Sequence, residues 1–231
     1  MEHRILGTTM PALEVRLGPG ETIIADSGEL SWMTDSIEMH TTTAGAGAKG
    51  LFGALKRAVS GGTLFLTEYT ARSGPGAVTF ATKMPGNIVD LRIEPGAGYL
   101  VHHHGFMAGT PGIQVSPVIQ KLGAGIFGGE GFILQKLEGN ATAWASISGE
   151  MIALDLNPGE SLRVHPGHVG IFQDRVRFEI VTIKGIANKI FGGDGIFLVR
   201  LTGPGRVWLQ TLPLPNLAHA LLPYLPTNDN K

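Results

Sequence analysis

The chain repeats one pattern three times along its length. Each copy has a glycine-rich turn, an apolar segment, a second tight turn centred on glycine and another apolar segment, a pattern typical of a β-hairpin. A repeat constrains the fold more than any other feature, because each copy has to form the same structure and pack against its neighbours. The three copies lie at residues 60–78, 127–144 and 191–208.

A Pro-Gly pair stands upstream of each copy, with its glycine at Gly20, Gly96 or Gly159. Proline at the first central position and glycine at the second predict a type II turn, in which the glycine supplies a positive φ. The sequence therefore predicts one domain over residues 1–231. Its parts are repeats at about 9–83, 84–146 and 147–212, and a C-terminal helix and tail at 213–231.

Short segments with alternating apolar and polar residues predict strands between these turns. With about five strands in each repeat, the expected fold class is all-β: a sandwich, prism or barrel. Two short helices are expected, one in an insert of the first copy and one at Asn216–Leu222 with Asn216 as its N-cap. The clearest strand segments are Leu13–Leu17, Ile37–His40, Ile88–Ile93 and Val176–Ile180, and the inserted helix has Leu51, Leu55 and Val59 on one face.

Composition excludes several functional classes. The chain has no cysteine, so it has no disulfide, no thiolate metal site and no cysteine nucleophile. A net charge of -1, with dispersed Lys and Arg, provides no basic surface for a nucleic-acid backbone. We find no targeting segment after Met1 and expect a cytoplasmic protein. The 34 glycines follow from a turn-rich unit that is used three times.

Two glycine motifs resemble nucleotide-binding loops. Residues 45–50 match G-x-G-x-x-G, but residues 123–128 match the same pattern at the corresponding place of the second copy. Because no βαβ alternation surrounds either match, we interpret both as connections between strands.

Two copies carry an acidic residue in the glycine-rich turn, Glu130 after Gly129 and Asp194 after Gly193. A carboxylate at such a turn can accept hydrogen bonds from backbone N–H groups, and we predict this structural role. The alternative is an acid–base pair, which requires both carboxylates in one cleft.

The histidines suggest a metal site as a second hypothesis. His102 and His104 would share one face of a strand and resemble the opening of the cupin metal motif, although the carboxylate of that motif is missing. In addition, Asp26, His102 and His165 each follow the glycine of their Pro-Gly pair by six residues. If they converged, they would form a two-His-one-carboxylate set suited to a divalent metal such as Fe(II).

The Pro-Gly turns, the acidic turns at Glu130 and Asp194, and the segment Leu201–Gly205 resemble one known family over roughly Thr9 to Leu217. This family groups uncharacterised bacterial and archaeal proteins with the mitochondrial "altered inheritance of mitochondria protein twenty-four". The resemblance implies three β-rich repeats related by a pseudo-threefold axis, similar to the tryptophan RNA-binding attenuation protein and to double-stranded β-helices. It links the mitochondrial relatives to inner-membrane architecture and gives no activity for the prokaryotic ones.

We therefore expect a scaffold or binding module that acts through protein–protein contacts, forms a homo-oligomer and needs no cofactor. One alternative is a cupin-like metal-dependent enzyme that uses His102 and His104. A second alternative is a peripheral membrane protein that touches lipid through Leu51, Phe52 and Leu55, which lie next to cationic residues.

Overall fold

The structure of the chain is a computed structural model that describes residues 1–42, 66–120, 132–183 and 196–225. Most of these residues form strands, as the sequence predicts. The inserted helix with Leu51, Phe52 and Leu55, and the acidic turns with Glu130 and Asp194, lie outside the described residues. None of the described helices is long and apolar enough to span a membrane.

Nineteen strands occur in the described residues, six in each predicted repeat and one before the first. The first repeat and the segment before it contain β1 (Glu2–Leu6), β2 (Ala12–Leu17), β3 (Thr22–Asp26), β4 (Leu30–Met33), β5 (Ile37–Thr42), β6 (Leu66–Ala71) and β7 (Gly76–Ala81). The second contains β8 (Gly86–Ile93), β9 (Tyr99–His102), β10 (Phe106–Gly109), β11 (Ile113–Gln120), β12 (Phe132–Gly139) and β13 (Ala141–Ser148). The third contains β14 (Met151–Leu156), β15 (Ser161–Val164), β16 (Val169–Gln173), β17 (Arg177–Ile183), β18 (Ile196–Thr202) and β19 (Gly205–Gln210).

The strands form four sheets. Their orders are β1-β2-β7-β4 in the first sheet, β5-β6-β3-β10-β13-β8 in the second, β11-β12-β9-β16-β19-β14 in the third and β15-β18-β17 in the fourth. The second and third sheets each combine three strands of one predicted repeat with three strands of the next. The antiparallel pairs β3–β10 and β9–β16 join these halves, so consecutive repeats share a continuous sheet.

The predicted hairpins are wrong. The two strands on either side of each tight glycine turn, such as β6 and β7, belong to different sheets and do not pair with each other. Gly74 and Gly205 in these turns have φ values of 149° and 148°, which glycine adopts far more readily than other residues. The turn therefore carries the chain from one sheet to the next, and hairpins and such crossings share the same local glycine signal.

The Pro-Gly turns are confirmed. Gly20, Gly96 and Gly159 have φ values of 81°, 82° and 80°. In each turn the N–H that follows the glycine donates to the carbonyl three residues earlier, at an N to O distance of 3.0 Å.

The C-terminal helix α1 spans Leu214–Leu221 with Pro213 as its N-cap. Asn216 therefore lies inside the helix, because proline before the first turn sets the start earlier than the asparagine does.

Three apolar cores fill the spaces between successive sheets. The first core, centred on Leu13, Val15, Tyr69 and Phe80, also contains Ile88, Met107, Ala108 and Trp144 from the second repeat. The second core, centred on Leu91, Val101 and Leu137, contains Ile171 from the third repeat, with Trp208 packed against it. The third core consists of Leu134, Leu156, Val164, Val169, Phe172, Val176, Val199, Leu201 and Val207. The first two cores thus include side chains from the following repeat.

Candidate functional site

The candidate metal ligands occupy matching places at the ends of three strands. Asp26 is the last residue of β3, His102 is the last residue of β9, and His165 directly follows β15. Each residue therefore starts a loop that leads into the next strand. Among the described residues, however, no three His, Asp or Glu side chains lie close enough to hold a metal ion together.

The imidazole of His102 is engaged on both sides by backbone carbonyls. Its Nδ1 lies 2.8 Å from the carbonyl oxygen of His103, and its Nε2 lies 3.0 Å from that of Ser146. A neutral ring can donate to only one of the two, whereas the protonated ring donates to both. Burial lowers the pKa of His102, and the two carbonyl contacts oppose this shift. These contacts give His102 a structural role in tying β9 to β13.

His104 does not share a strand face with His102, contrary to the sequence prediction. The strand β9 ends at His102, and the chain then turns, with the Gly105 N–H donating to the His102 carbonyl at 2.8 Å. His104 sits in this turn with a φ of 66°, in the left-handed region. The alternation that would align two histidines exists only in a strand, so the cupin-like arrangement does not form.

His165 has different neighbours from His102. Its ring packs edge-on against that of His168, with 5.9 Å between the ring centroids. The Nδ1 of His168 lies 2.7 Å from the Gln210 carbonyl oxygen. The pKa of His165 is lowered by burial and by the nearby His168. This pair joins the loop after β15 to the end of β19 and is separate from the loop that carries His102.

An ion pair between a buried carboxylate and an exposed lysine is the main charged feature near these loops. The carboxylate of Glu29 follows β3, is 5% exposed and accepts a hydrogen bond from the Lys83 ammonium group. Burial raises the pKa of Glu29, Lys83 opposes that shift, and Asp26 adds to it. His104 is within electrostatic reach of this pair: burial and the Lys83 cation lower its pKa, and Asp26 opposes that shift.

Hydroxyl groups lie near the same pair. Tyr69 is fully buried beside Thr67, and burial raises the pKa of its phenol, with Asp26 and Glu29 acting in the same direction. The hydroxyl of Ser27 lies 3.0 Å from that of Thr67. A buried carboxylate beside a lysine and a tyrosine resembles acid–base machinery, but structural ion-pair networks shift pKa values in the same way. The direct contact with Lys83 favours a structural ion pair.

No sequence pattern indicates this Glu29–Lys83 pair. The residues are far apart in the chain and belong to no recognised motif. The places that correspond to Glu29 in the later repeats are occupied by Gly105 and His168, so the internal repeat carries no signal for an acid there. Only the packing of the loop after β3 against the segment between β7 and β8 brings the two charges together.

Exposed apolar side chains on edge strands are a more distinctive feature of the surface than the Glu29–Lys83 pair. Strand β14 lies at the edge of the third sheet and exposes Met151 by 37%, Ile152 by 45% and Leu154 by 36%. In the first sheet, the edge strand β4 exposes Trp32 by 55% and Met33 by 37%. Single exposed apolar residues are common, whereas groups of them on edge strands indicate contact surfaces.

The comparisons with known proteins agree over nearly the whole chain. The family model described as "Mitochondrial biogenesis AIM24" matches residues 3–212. An uncharacterised protein of Streptococcus pyogenes serotype M6 is 28% identical over 224 residues, which cover 95% of this chain and 89% of that protein. A crystal structure of another Streptococcus pyogenes protein is similar with a TM-score of 0.76 and 25% identity, covering 97% of this chain and 99% of that one. The chain therefore belongs to the AIM24 family.

Proposed function

We propose that the chain is built of three like units, each a sandwich of three strands on three, with the architecture of the attenuation protein and of double-stranded β-helices. The recurring strand pairs support this proposal: β2–β7, β8–β13 and β14–β19 have the same place in each unit. The first predicted boundary, after residue 83, falls between β7 and β8, whereas the second, after residue 146, falls near the end of β13. The described pairings contain the two junctions between consecutive units, β3–β10 and β9–β16.

A shared irregularity adds further support. In each unit the strand that follows the loop has a register shift against its partner, between Leu30 and Trp32, between Phe106 and Ala108, and between Val169 and Ile171. A bulge at a matching place in three units is a feature of a repeated design, because bulges depend on the local backbone and its neighbours.

We further propose that the protein is a scaffold that acts through protein–protein contacts, and that its first partner is a second copy of itself. The main observation behind this proposal is that apolar residues are exposed in both the first and the third unit. Trp32 in β4 corresponds to Ala108 and Ile171, which are fully buried. Ile152 and Leu154 in β14 correspond to Val89 and Leu91, whose exposures are 9% and 1%. The first unit therefore exposes a position that the second and third units bury, and the third unit exposes positions that the second unit buries.

The surface charge is compatible with such contacts. Asp155, at the end of β14, is paired with Arg206 at 2.5 Å, so its carboxylate is compensated within the chain. Within β14 the residues before it carry no charge. An edge with unpaired backbone groups, apolar side chains and little net charge favours association with another strand or sheet.

The proposal is tested by the mass of the protein in solution. Light scattering after size exclusion, between about 1 and 100 µM, should give a multiple of the 24.4 kDa chain. The variant Trp32→Glu should shift the population towards the monomer, because a charge would be buried at the contact. Tyr224→Glu, at an 84% exposed residue of the C-terminal segment, is the matched control and should keep the wild-type mass. A wild-type monomer over the whole range would contradict the proposal.

A further inference from the structure

The two ends of the chain carry complementary strand edges. Within the chain, the strand after each Pro-Gly turn pairs with the strand after the loop of the following unit, as in β3–β10 and β9–β16. In the third unit, the strand after the Pro-Gly turn is β15, and among the described strands it pairs only with β18. In the first unit, the strand after the loop is β4, and among the described strands it pairs only with β7. One half of the same junction is thus present at each end.

We propose that β15 of one copy pairs with β4 of the next copy, in the antiparallel register of the two internal junctions. This inference rests on the proposed self-association and states its geometry. The internal pairs Ala25–Ala108 and Val101–Ile171 fix the register. By distance from the Pro-Gly turns, Val164 corresponds to Ala25 and Val101. By distance from the turns after β4, β10 and β16, Trp32 corresponds to Ala108 and Ile171. Val164 of one copy therefore pairs with Trp32 of the next. Arg163 then lies opposite Met33.

The turns used for this alignment are themselves alike. The N–H of Ile37 donates to the Thr34 carbonyl, that of Ile113 to Thr110, and that of Val176 to Gln173, at N to O distances of 3.1, 3.2 and 2.9 Å. A one-residue error would move every side chain of the edge to the opposite face of the sheet. The matching turns therefore fix the residue correspondence on which the register depends.

The contact would complete the third core. The first core receives Met107 and Trp144 from the following unit, and the second core receives Ile171. The third core has no following unit within the chain, and on its side of the third sheet Ile152 and Leu154 remain partly exposed. In the proposed contact, the Trp32 of the next copy takes the place that Ile171 has in the second core. The same contact therefore accounts for the exposed apolar residues at both ends.

A polar contact of the β9–β16 junction also has a counterpart at the open ends. Between β9 and the end of β16, the Gly98 N–H donates to the Asp174 carboxylate at 3.0 Å, and the Asp174 N–H donates to the Gly98 carbonyl at 3.0 Å. The residues that correspond to Gly98 and Asp174 at the open ends are Ser161 and Asp35. Asp35 is exposed and directly follows Thr34. Its carboxylate is thus placed to accept the Ser161 N–H of the neighbouring copy.

The association is heterologous, because the two surfaces differ. A contact of this kind closes into a ring if the rotation between copies permits it and otherwise extends into a filament. A self-complementary dimer through β4 or β14 would use the same surface on both copies. The two arrangements give different crosslinking patterns.

Single cysteines test the register, because the chain has none of its own. Arg163→Cys and Met33→Cys proteins are mixed and treated with dibromobimane, a short thiol-to-thiol crosslinker. We expect a two-chain product in the mixture at least about tenfold above either protein alone, because opposing Cβ atoms in paired strands lie about 4.5–5.5 Å apart. The matched control is Arg163→Cys mixed with Met39→Cys, at another exposed methionine outside the proposed contact.

Each outcome has a defined meaning. Product in the Arg163–Met33 mixture alone supports the junction. Crosslinking of the Met33→Cys protein with itself, or equal product in the control mixture, overturns it. An oligomer without the expected product overturns the register but leaves the proposed self-association intact, whereas a monomer overturns both. As a second measurement, Asp35→Asn should weaken association about tenfold by loss of a charged hydrogen-bond acceptor, and Asp155→Asn should leave it unchanged.

Discussion

In the proposed three-unit architecture, strands β2 and β14 hold corresponding places in the first and third units but differ in burial. Leu13 and Val15 of β2 are fully buried, whereas Ile152 and Leu154 of β14 are exposed by 45% and 36%. On the outer edge of β2, β1 adds a further strand, and in the described residues no strand pairs with that edge of β14. The core beneath β2 also receives side chains from the second unit. The same type of strand is therefore interior at one end of the row and peripheral at the other.

In the proposed architecture, this difference arises because the first and third units are the ends of a row. In repeat proteins, each unit buries its apolar face against a neighbour, and the terminal units need a cap or a partner. The segment before the first repeat provides a partial cap, since His3 packs edge-on against Trp144 with 4.9 Å between ring centroids. The third unit has α1 after its last strand, but Leu214 and Leu221 of that helix are themselves exposed.

The largest predicted effect separates the two strands directly. Leu13→Ala should lower the free energy of unfolding by about 2–5 kcal/mol, because it opens a cavity in a closed core. Ile152→Ala, the matched change in β14, should lower it by about 1 kcal/mol or less, because the side chain already contacts water. Urea denaturation followed by tryptophan fluorescence measures both. Equal losses would show that the third unit is as closed in solution as the first.

The next effect concerns the ion pair that is found only in the first unit. Lys83→Met should lower the free energy of unfolding by about 1–3 kcal/mol, because the buried Glu29 carboxylate loses its charged donor. Adding Glu29→Gln should restore part of that loss, since a neutral amide is less costly to bury. Lys136→Met removes a pair with Glu138, whose carboxylate is much more exposed than that of Glu29, and should change stability by about 0–1 kcal/mol. If the double variant is less stable than Lys83→Met, this account of the pair is wrong.

The smallest effect is the pH dependence at two corresponding histidines. Burial lowers the pKa of His102 and of His165 below the ordinary value of 6.5. Near and below pH 6.5 the unfolded chain therefore binds protons that the folded chain does not, and stability falls as the pH is lowered. His104, whose pKa is also lowered, adds to this fall.

Replacement by glutamine separates these contributions. His102→Gln should flatten the decline in stability between pH 7 and pH 5.5 more than His165→Gln does, because the ring of His102 is enclosed between two carbonyls. Urea midpoints at several pH values provide the measurement. A steeper decline in the His102→Gln protein would mean that the folded state favours the protonated ring.

Much of the fold could be predicted from local patterns. The alternating residues of Leu13–Leu17 and Ile88–Ile93 lie in β2 and β8, and the Pro-Gly turns have the predicted geometry. The segment Glu2–Leu6, by contrast, has no clear alternation, and β1 was not predicted. Its strand conformation follows from pairing with β2, which is a tertiary interaction.

The candidate site shows a similar division. The sequence placed Asp26, His102 and His165 at corresponding positions, and the structure has them at corresponding strand ends. The fold does not bring these three side chains together. The left-handed turn at His104 also removes the strand face that His104 was expected to share with His102. Periodicity assigns a face only while the strand continues, and the end of β9 at His102 depends on its neighbours.

The sequence by itself determined the all-β class, the places of the turns and the family, because glycine, proline and alternation act through the local backbone. Only the tertiary structure decided which strands pair, since the same glycine turn serves a hairpin or a crossing between sheets. It also decided which corresponding residues are buried. Leu13 and Ile152 are similar in character and place in the repeat, and their difference comes from the units that lie beside them.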